Sequence, residues 1–134
     1  MEERMEIKFR ISETFPATPE ALYEAWLNSD LHSEMTGGKA EVSDQVGDEF
    51  TAWDGYISGK NLELQPPLRI LQSWRTTEFS PSEPDSLLEI TFVTEEKETR
   101  ITIRHSDLPE HGMQYQQGWV DAYFTPMKEY FQGK

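Results

Sequence analysis

The C-terminal stretch QGWVDAYFTPMKEYFQG, residues 117–133, constrains this chain more than any other segment. Spaced on a helix, Val120, Phe124, Met127 and Phe131 form one stripe and Trp119, Tyr123 and Tyr130 an adjacent one, while Asp121, Thr125, Lys128 and Gln132 lie opposite. One broad apolar face results. A fully buried large apolar side chain is worth about 1.5 to 3 kcal/mol, so leaving that face in water would forfeit on the order of 10 kcal/mol, comparable to the stability of a small domain. The rest of the chain must supply a cover. Within the helix, Gly118 predicts a close approach of the backbone to that cover, and Pro126, which has no N–H to donate, predicts a kink or a loosened turn.

The cover is written in period two. Residues 5–15, MEIKFRISETF, alternate Ile7, Phe9 and Ile11 against Glu6, Lys8, Arg10 and Ser12, the pattern of a half-buried strand. Thr18 then offers an N-cap hydroxyl, Pro19 suits the first helical position, Glu20 suits the positive end of the dipole, and Leu22, Ala25 and Trp26 recur at helical spacing, which predicts a short helix over 19–27. Ser29 predicts the cap of a second short helix through Met35, ended by Gly37-Gly38.

From Lys39 to Ser106 alternation and turn signals recur. Gly47-Asp48 reads as a tight turn and Trp53-Asp54-Gly55-Tyr56 as a two-residue hairpin, Pro66-Pro67 breaks the next strand pair, and polar loops at 80–86 and 95–98 separate the last three strands. By parity the inward residues are Leu68, Ile70, Gln72 and Trp74, then Leu88, Ile90 and Phe92, then Ile101, Ile103 and His105. Arg69, Arg75, Glu89, Arg100 and Arg104 take the opposite face, and residues 56–65 do not alternate cleanly enough to assign one. The expected architecture is α+β: a single domain over residues 1–134, with a curved antiparallel sheet of about six to seven strands wrapped around a long C-terminal helix and two short helices after the first strand.

Composition removes whole classes of function. A net charge of −13 over 134 residues, with no clustered Lys or Arg, repels a phosphate backbone and an anionic membrane. No run approaches the eighteen or so apolar residues of a membrane span, and the first fifteen residues do not resemble a signal peptide, so a cytoplasmic address is expected. The absence of cysteine removes disulfides, thiolate nucleophiles and thiolate metal sites together. No phosphate-binding loop or zinc signature is present, and GYISG at 55–59 misses the nucleophile-elbow spacing. His105-Ser106-Asp107 holds the three residue types of a triad, but neighbours on a strand point to alternate faces and do not converge. His105, Asp107 and His111 would surround a metal only if the loop at Leu108-Pro109 folded back; a histidine satisfied inside the fold is the plainer reading, and neither cofactor nor metal is expected.

The informative minority is polar residues on inward faces. Gln72 sits between Ile70 and Trp74, and His105 follows Ile103; each, unpartnered, would cost about 1 to 3 kcal/mol, so each must meet another residue, a water or a ligand. Internal hydrogen bonding is one solution. The other is a cavity between sheet and helix, apolar with a few polar anchors, whose walls would be Phe50, Ile70, Gln72, Trp74, Phe92, Ile103, His105, Trp119, Tyr123 and Met127.

In order along the chain, FPATPEALYEAW, TGG at 36–38, WDGYISG, PPLRILQSWR, ITIRHSDLPE and QGWVDAYFTPMKEYF resemble the pattern of the activator of heat-shock protein 90 ATPase homologue family, within the START-like or SRPBCC superfamily. The resemblance spans nearly the whole chain. It implies a helix-grip fold, with a groove between sheet and long helix in which related domains hold hydrophobic ligands. It also implies a chaperone of the heat-shock protein 90 class as a partner, although in the eukaryotic activator this domain follows a separate chaperone-binding domain that these 134 residues do not contain. Some superfamily members are cyclases or hydrolases, but no catalytic motif of theirs maps onto this chain. Three expectations follow: a non-catalytic module binding a small hydrophobic molecule, a protein-interaction module acting on such a chaperone, and an enzyme using His105 as general acid or base with Gln72 as orienter.

Overall fold

The computed structural model describes residues 7–133; Met5 and Glu6 of the first predicted strand lie outside them. β1 (Ile7–Phe15) leads into α1 (Pro19–Leu27) and α2 (Ser29–Thr36), followed by β2 (Glu49–Ala52), β3 (Ile57–Gln65), β4 (Arg69–Thr76), β5 (Ser86–Glu95) and β6 (Glu98–Leu108). The strands form one six-stranded antiparallel sheet in the order β1-β6-β5-β4-β3-β2. The curved sheet grips a C-terminal helix running from Gln114 to Gln132, as the amphipathic stripe requires. Tyr115, Trp119, Tyr123, Phe124, Met127 and Phe131 are buried on its sheet-facing side, and Phe15 of β1 meets Phe124 edge-on at 5.7 Å.

The two short helices close the other flank. Thr18 accepts from the Ala21 N–H and Pro19 opens α1, as their residue types predict. The cap of α2 is Asn28 rather than Ser29: Asn28 Oδ1 accepts from the Leu31 N–H, while Ser29 donates to the Val42 carbonyl and so ties the helix to the following loop. Gly37, at φ 86°, ends α2 in the left-handed conformation that glycine adopts without penalty. Tyr23 reaches from α1 to Phe92 of β5, ring centroids 5.7 Å apart.

Parity holds on β4, β5 and β6 with one exception. Leu68 lies in the turn after the cis Pro66-Pro67 peptide, donates its N–H to the Gln65 carbonyl and is 57% exposed, so the inward series begins at Ile70. β3 alternates poorly because its register slips between Asn61 and Glu63, a bulge that turns Leu62 outward. The hairpin joining β2 to β3 is also longer than predicted. Ala52 pairs with Ile57, leaving Trp53 to Tyr56 as a four-residue loop in which Trp53, Asp54 and Gly55 all have positive φ. Gly59 allows the closest strand approach: a Cβ there would lie 1.9 Å from the Ser73 carbonyl oxygen and 2.7 Å from the Phe50 ring.

Pro126 loosens the C-terminal helix without ending it. α3 (Gln114–Trp119) passes into a π-helical turn (Val120–Phe124) and then α4 (Thr125–Gln132), with Pro126 in the first turn of α4. The Thr125 N–H bonds the Val120 carbonyl five residues back, and the widened turn precedes the residue that has no N–H of its own to offer. Gly118 departs from expectation. It is exposed, and a Cβ there would meet nothing within 4 Å, so the backbone does not approach the sheet at this point. Among the described residues no helix is long and apolar enough to cross a membrane.

Candidate functional site

Three elements meet around an open cavity of about 470 Å³ at one end of the gripped helix. The β2–β3 hairpin contributes Trp53, Tyr56 and Ile57, β4 contributes Trp74, and the helix contributes Gln114, Tyr115, Gly118, Trp119, Ala122 and Tyr123. Each is placed by a local cause. The run of left-handed residues turns both Trp53 and Tyr56 of the hairpin toward the helix, and Trp53 packs so closely on Gly38 that a Cβ there would lie 2.4 Å from its ring. The 3.6-residue repeat puts Tyr115, Gly118, Trp119, Ala122 and Tyr123 on one helical face, and the absent side chain at Gly118 leaves the cavity unfilled at its rim.

Behind the cavity the rings are held by aromatic contacts and by two satisfied histidines. Trp26 of α1 stacks on Tyr123 with ring centroids 5.1 Å apart, and Trp74 lies 5.7 Å from Trp119 and 4.9 Å from Tyr115. His105 accepts the indole N–H of Trp119 at Nδ1 (3.0 Å), which leaves Nε2 to donate to Ser86 Oγ (2.8 Å); Ser86 in turn donates to the Trp74 carbonyl (2.7 Å). Burial pushes the His105 imidazole down to about 3, and the ring is neutral with both nitrogens engaged. His32 repeats the arrangement on the other side: Nδ1 donates to the Trp26 carbonyl (2.8 Å), Nε2 accepts from the Tyr123 hydroxyl (2.9 Å), and burial lowers its pKa. Burial in turn raises the pKa of Tyr123.

At the rim the chemistry changes. The Tyr56 hydroxyl donates to Glu78 Oε2, and the Tyr115 hydroxyl is 2.6 Å from Thr76 Oγ1, which also accepts the Glu78 N–H. Burial raises the pKa of both tyrosines, and the Glu78 carboxylate adds to the rise in each. Gln114 donates to His111 Nδ1, and His111 Nε2 lies 3.3 Å from Glu83.

Of the ten residues expected to wall a cavity, Trp74, Trp119 and Tyr123 line this one. Phe50, Ile70, Gln72, Phe92, Ile103, His105 and Met127 are buried in the closed core beside it. Gln72 does not point at open space: its amide donates to Asn61 Oδ1 (2.9 Å), and Asn61 donates to the carbonyls of Ser43 (2.8 Å) and Gln45 (3.0 Å). His105 does not approach Asp107 or His111 as a metal site, and among the described residues no group of three or more metal-ligating side chains assembles. Both of its ring nitrogens are engaged within the fold, by Trp119 and by Ser86. Sequence reasoning missed Trp53, Tyr56 and Tyr115. The aromatic flanks of the Asp-Gly turn were the available signal for the first two.

Residues 16–132 match the family model described as activator of Hsp90 ATPase homolog 1-like protein. The chain is 28% identical over 125 residues to the human activator of 90 kDa heat shock protein ATPase homolog 1, and 26% identical over 124 residues to the Dictyostelium discoideum homolog. These alignments cover 92% and 91% of the chain but only 37% and 32% of the relatives, so the chain spans about a third of the length of the curated relatives it matches. Among solved structures it resembles an HSP90 activator from Plasmodium falciparum (TM-score 0.78, 23% identity, 88% of this chain and 91% of that one). It also resembles CalU16 from Micromonospora echinospora (TM-score 0.77, 20% identity, 94% and 74%). At these identities the likeness establishes the helix-grip fold.

Proposed function

The chain belongs to the family of activator of Hsp90 ATPase homolog 1-like proteins, and on that premise we propose that it is a non-catalytic binding domain whose groove takes up a small hydrophobic molecule. The cavity of about 470 Å³ carries the reading: it falls in the size range of small-molecule sites, and its walls are almost entirely ring and aliphatic surface. A protein folding for stability alone gains by filling such a space, since each large ring buried contributes a few kcal/mol. Here the helix presents Gly118 to it instead. Thermal-shift screening of metabolite and lipid extracts, followed by intrinsic tryptophan fluorescence, tests the reading, because Trp53, Trp74 and Trp119 all line the cavity. The expected hit raises the melting temperature of the native chain and not of Gly118→Leu. Hits that stabilise both equally sink the idea.

Family membership favours a second reading, an interaction with a chaperone of the Hsp90 class, as the names of the human, Dictyostelium and Plasmodium relatives suggest. The net charge of −13 would steer the chain toward a basic surface. Co-purification at low ionic strength followed by a chaperone ATPase assay is the test. Absence of binding where charge steering is strongest removes this reading.

A further inference from the structure

Building on the groove as a ligand site, we propose that its occupant is a hydrophobic cation, an apolar ring body carrying an ammonium charge that rests on the aromatic walls beneath an acidic rim. The choice of rings is the first observation. The chain holds 7 Phe against 5 Tyr and 4 Trp, yet Trp53, Tyr56, Trp74, Tyr115, Trp119 and Tyr123 line the cavity and no Phe does. Indole and phenol faces attract cations more strongly than their apolar area alone requires.

The second observation is the sign of the surrounding charge. Among the described residues no Lys, Arg or His lines the cavity. Arg75, next to Trp74 on β4, stays outside the lining, engaged by Asp85 at 2.8 Å and by the Glu83 carbonyl at 3.1 Å with its guanidinium 5.3 Å over the Phe79 ring, and Lys39 lies 3.8 Å from Glu41. The rim carries Glu78 on the Tyr56 hydroxyl and Glu83 beside His111, and both carboxylates act on the Tyr115 hydroxyl at the cavity wall. A carboxylate or phosphate ligand would lose its water there and find no cation in exchange. The protein's net charge of −13 opposes its approach as well.

Three probes that share a naphthyl ring and differ in charge separate this inference from the groove itself: naphthylmethyl-trimethylammonium, naphthylmethanol and naphthoate, titrated against the full chain by tryptophan fluorescence and calorimetry at low and high salt. The ammonium compound is expected to bind about tenfold more tightly than the alcohol, and naphthoate most weakly. Glu78→Gln should cut the ammonium preference by about threefold and leave the alcohol unchanged. Gly118→Leu should abolish binding of all three. If the alcohol equals or exceeds the ammonium compound and Gly118→Leu still blocks both, the charge inference is overturned while the groove reading stands. If no probe binds saturably, both fall.

Discussion

Trp119 donates its indole N–H to Nδ1 of His105 at 3.0 Å, a bond that joins the C-terminal helix to β6 behind the candidate cavity. It fixes the imidazole in its Nε2–H tautomer and orients the indole whose face lines the cavity. The residue that sequence alone offers as an acid or base accepts a hydrogen bond from the helix it faces.

Acid should destabilise the fold through this ring before most carboxylates titrate. His105 in the folded state is depressed to about 3 from an ordinary value near 6.5, so between those limits the unfolded chain binds a proton that the folded chain refuses. Its contribution is complete above about pH 6.5 and is lost as pH falls toward 3, at about 1.4 kcal/mol per pH unit at most. His32 shifts in the same direction and steepens the loss. Urea midpoints at pH 7 and pH 5 check this, and His105→Gln should flatten the profile.

Trp119→Phe keeps the ring bulk and removes the donor, leaving His105 Nδ1 buried and unpaired. The expected cost is about 1 to 3 kcal/mol by chemical denaturation, with the apparent pKa of His105 by NMR changed from that of the native chain.

Gly118→Ala should raise stability by about 1 kcal/mol, because the position is helical and the added methyl meets nothing within 4 Å. The same methyl projects at the cavity rim, so affinity for any groove ligand should fall. Thermal melts with and without ligand report the two effects separately.

Gly59→Ala should do the reverse. Its Cβ would collide with the Ser73 carbonyl at 1.9 Å, and forcing β3 and β4 apart should cost about 3 kcal/mol, read as a lower urea midpoint.

Asn61→Ala should free the loop at 43–48. The side chain is 1% exposed and holds two loop carbonyls as well as Gln72, so the expected loss is about 2 kcal/mol, with faster amide exchange at Gly47, whose N–H bonds the Asn61 carbonyl.

Local chemistry makes much of this molecule legible in its sequence. Period two set the inward faces of β4, β5 and β6, the Thr18-Pro19 pair set the start of α1, and the ring stripe required a sheet to grip the last helix. Those signals are carried by residues close in sequence. The bulge at Asn61/Glu63 and the four-residue loop at Trp53 to Tyr56 escaped because register depends on the partner strand, and the deciding atoms lie on β2 and β4.

Sequence by itself determined that the rings of residues 117–133 face an interior, because no arrangement in water could tolerate them outside. Which of those rings meet other side chains and which face a cavity was decided only in three dimensions. His105 and Gln72 found partners on Trp119, Ser86 and Asn61, which are 14, 19 and 11 residues away, while the space opened beside Gly118, where the helix has no side chain to close it. A side chain's polarity states its need for a partner; only the packed chain determines whether a neighbour or a ligand meets it.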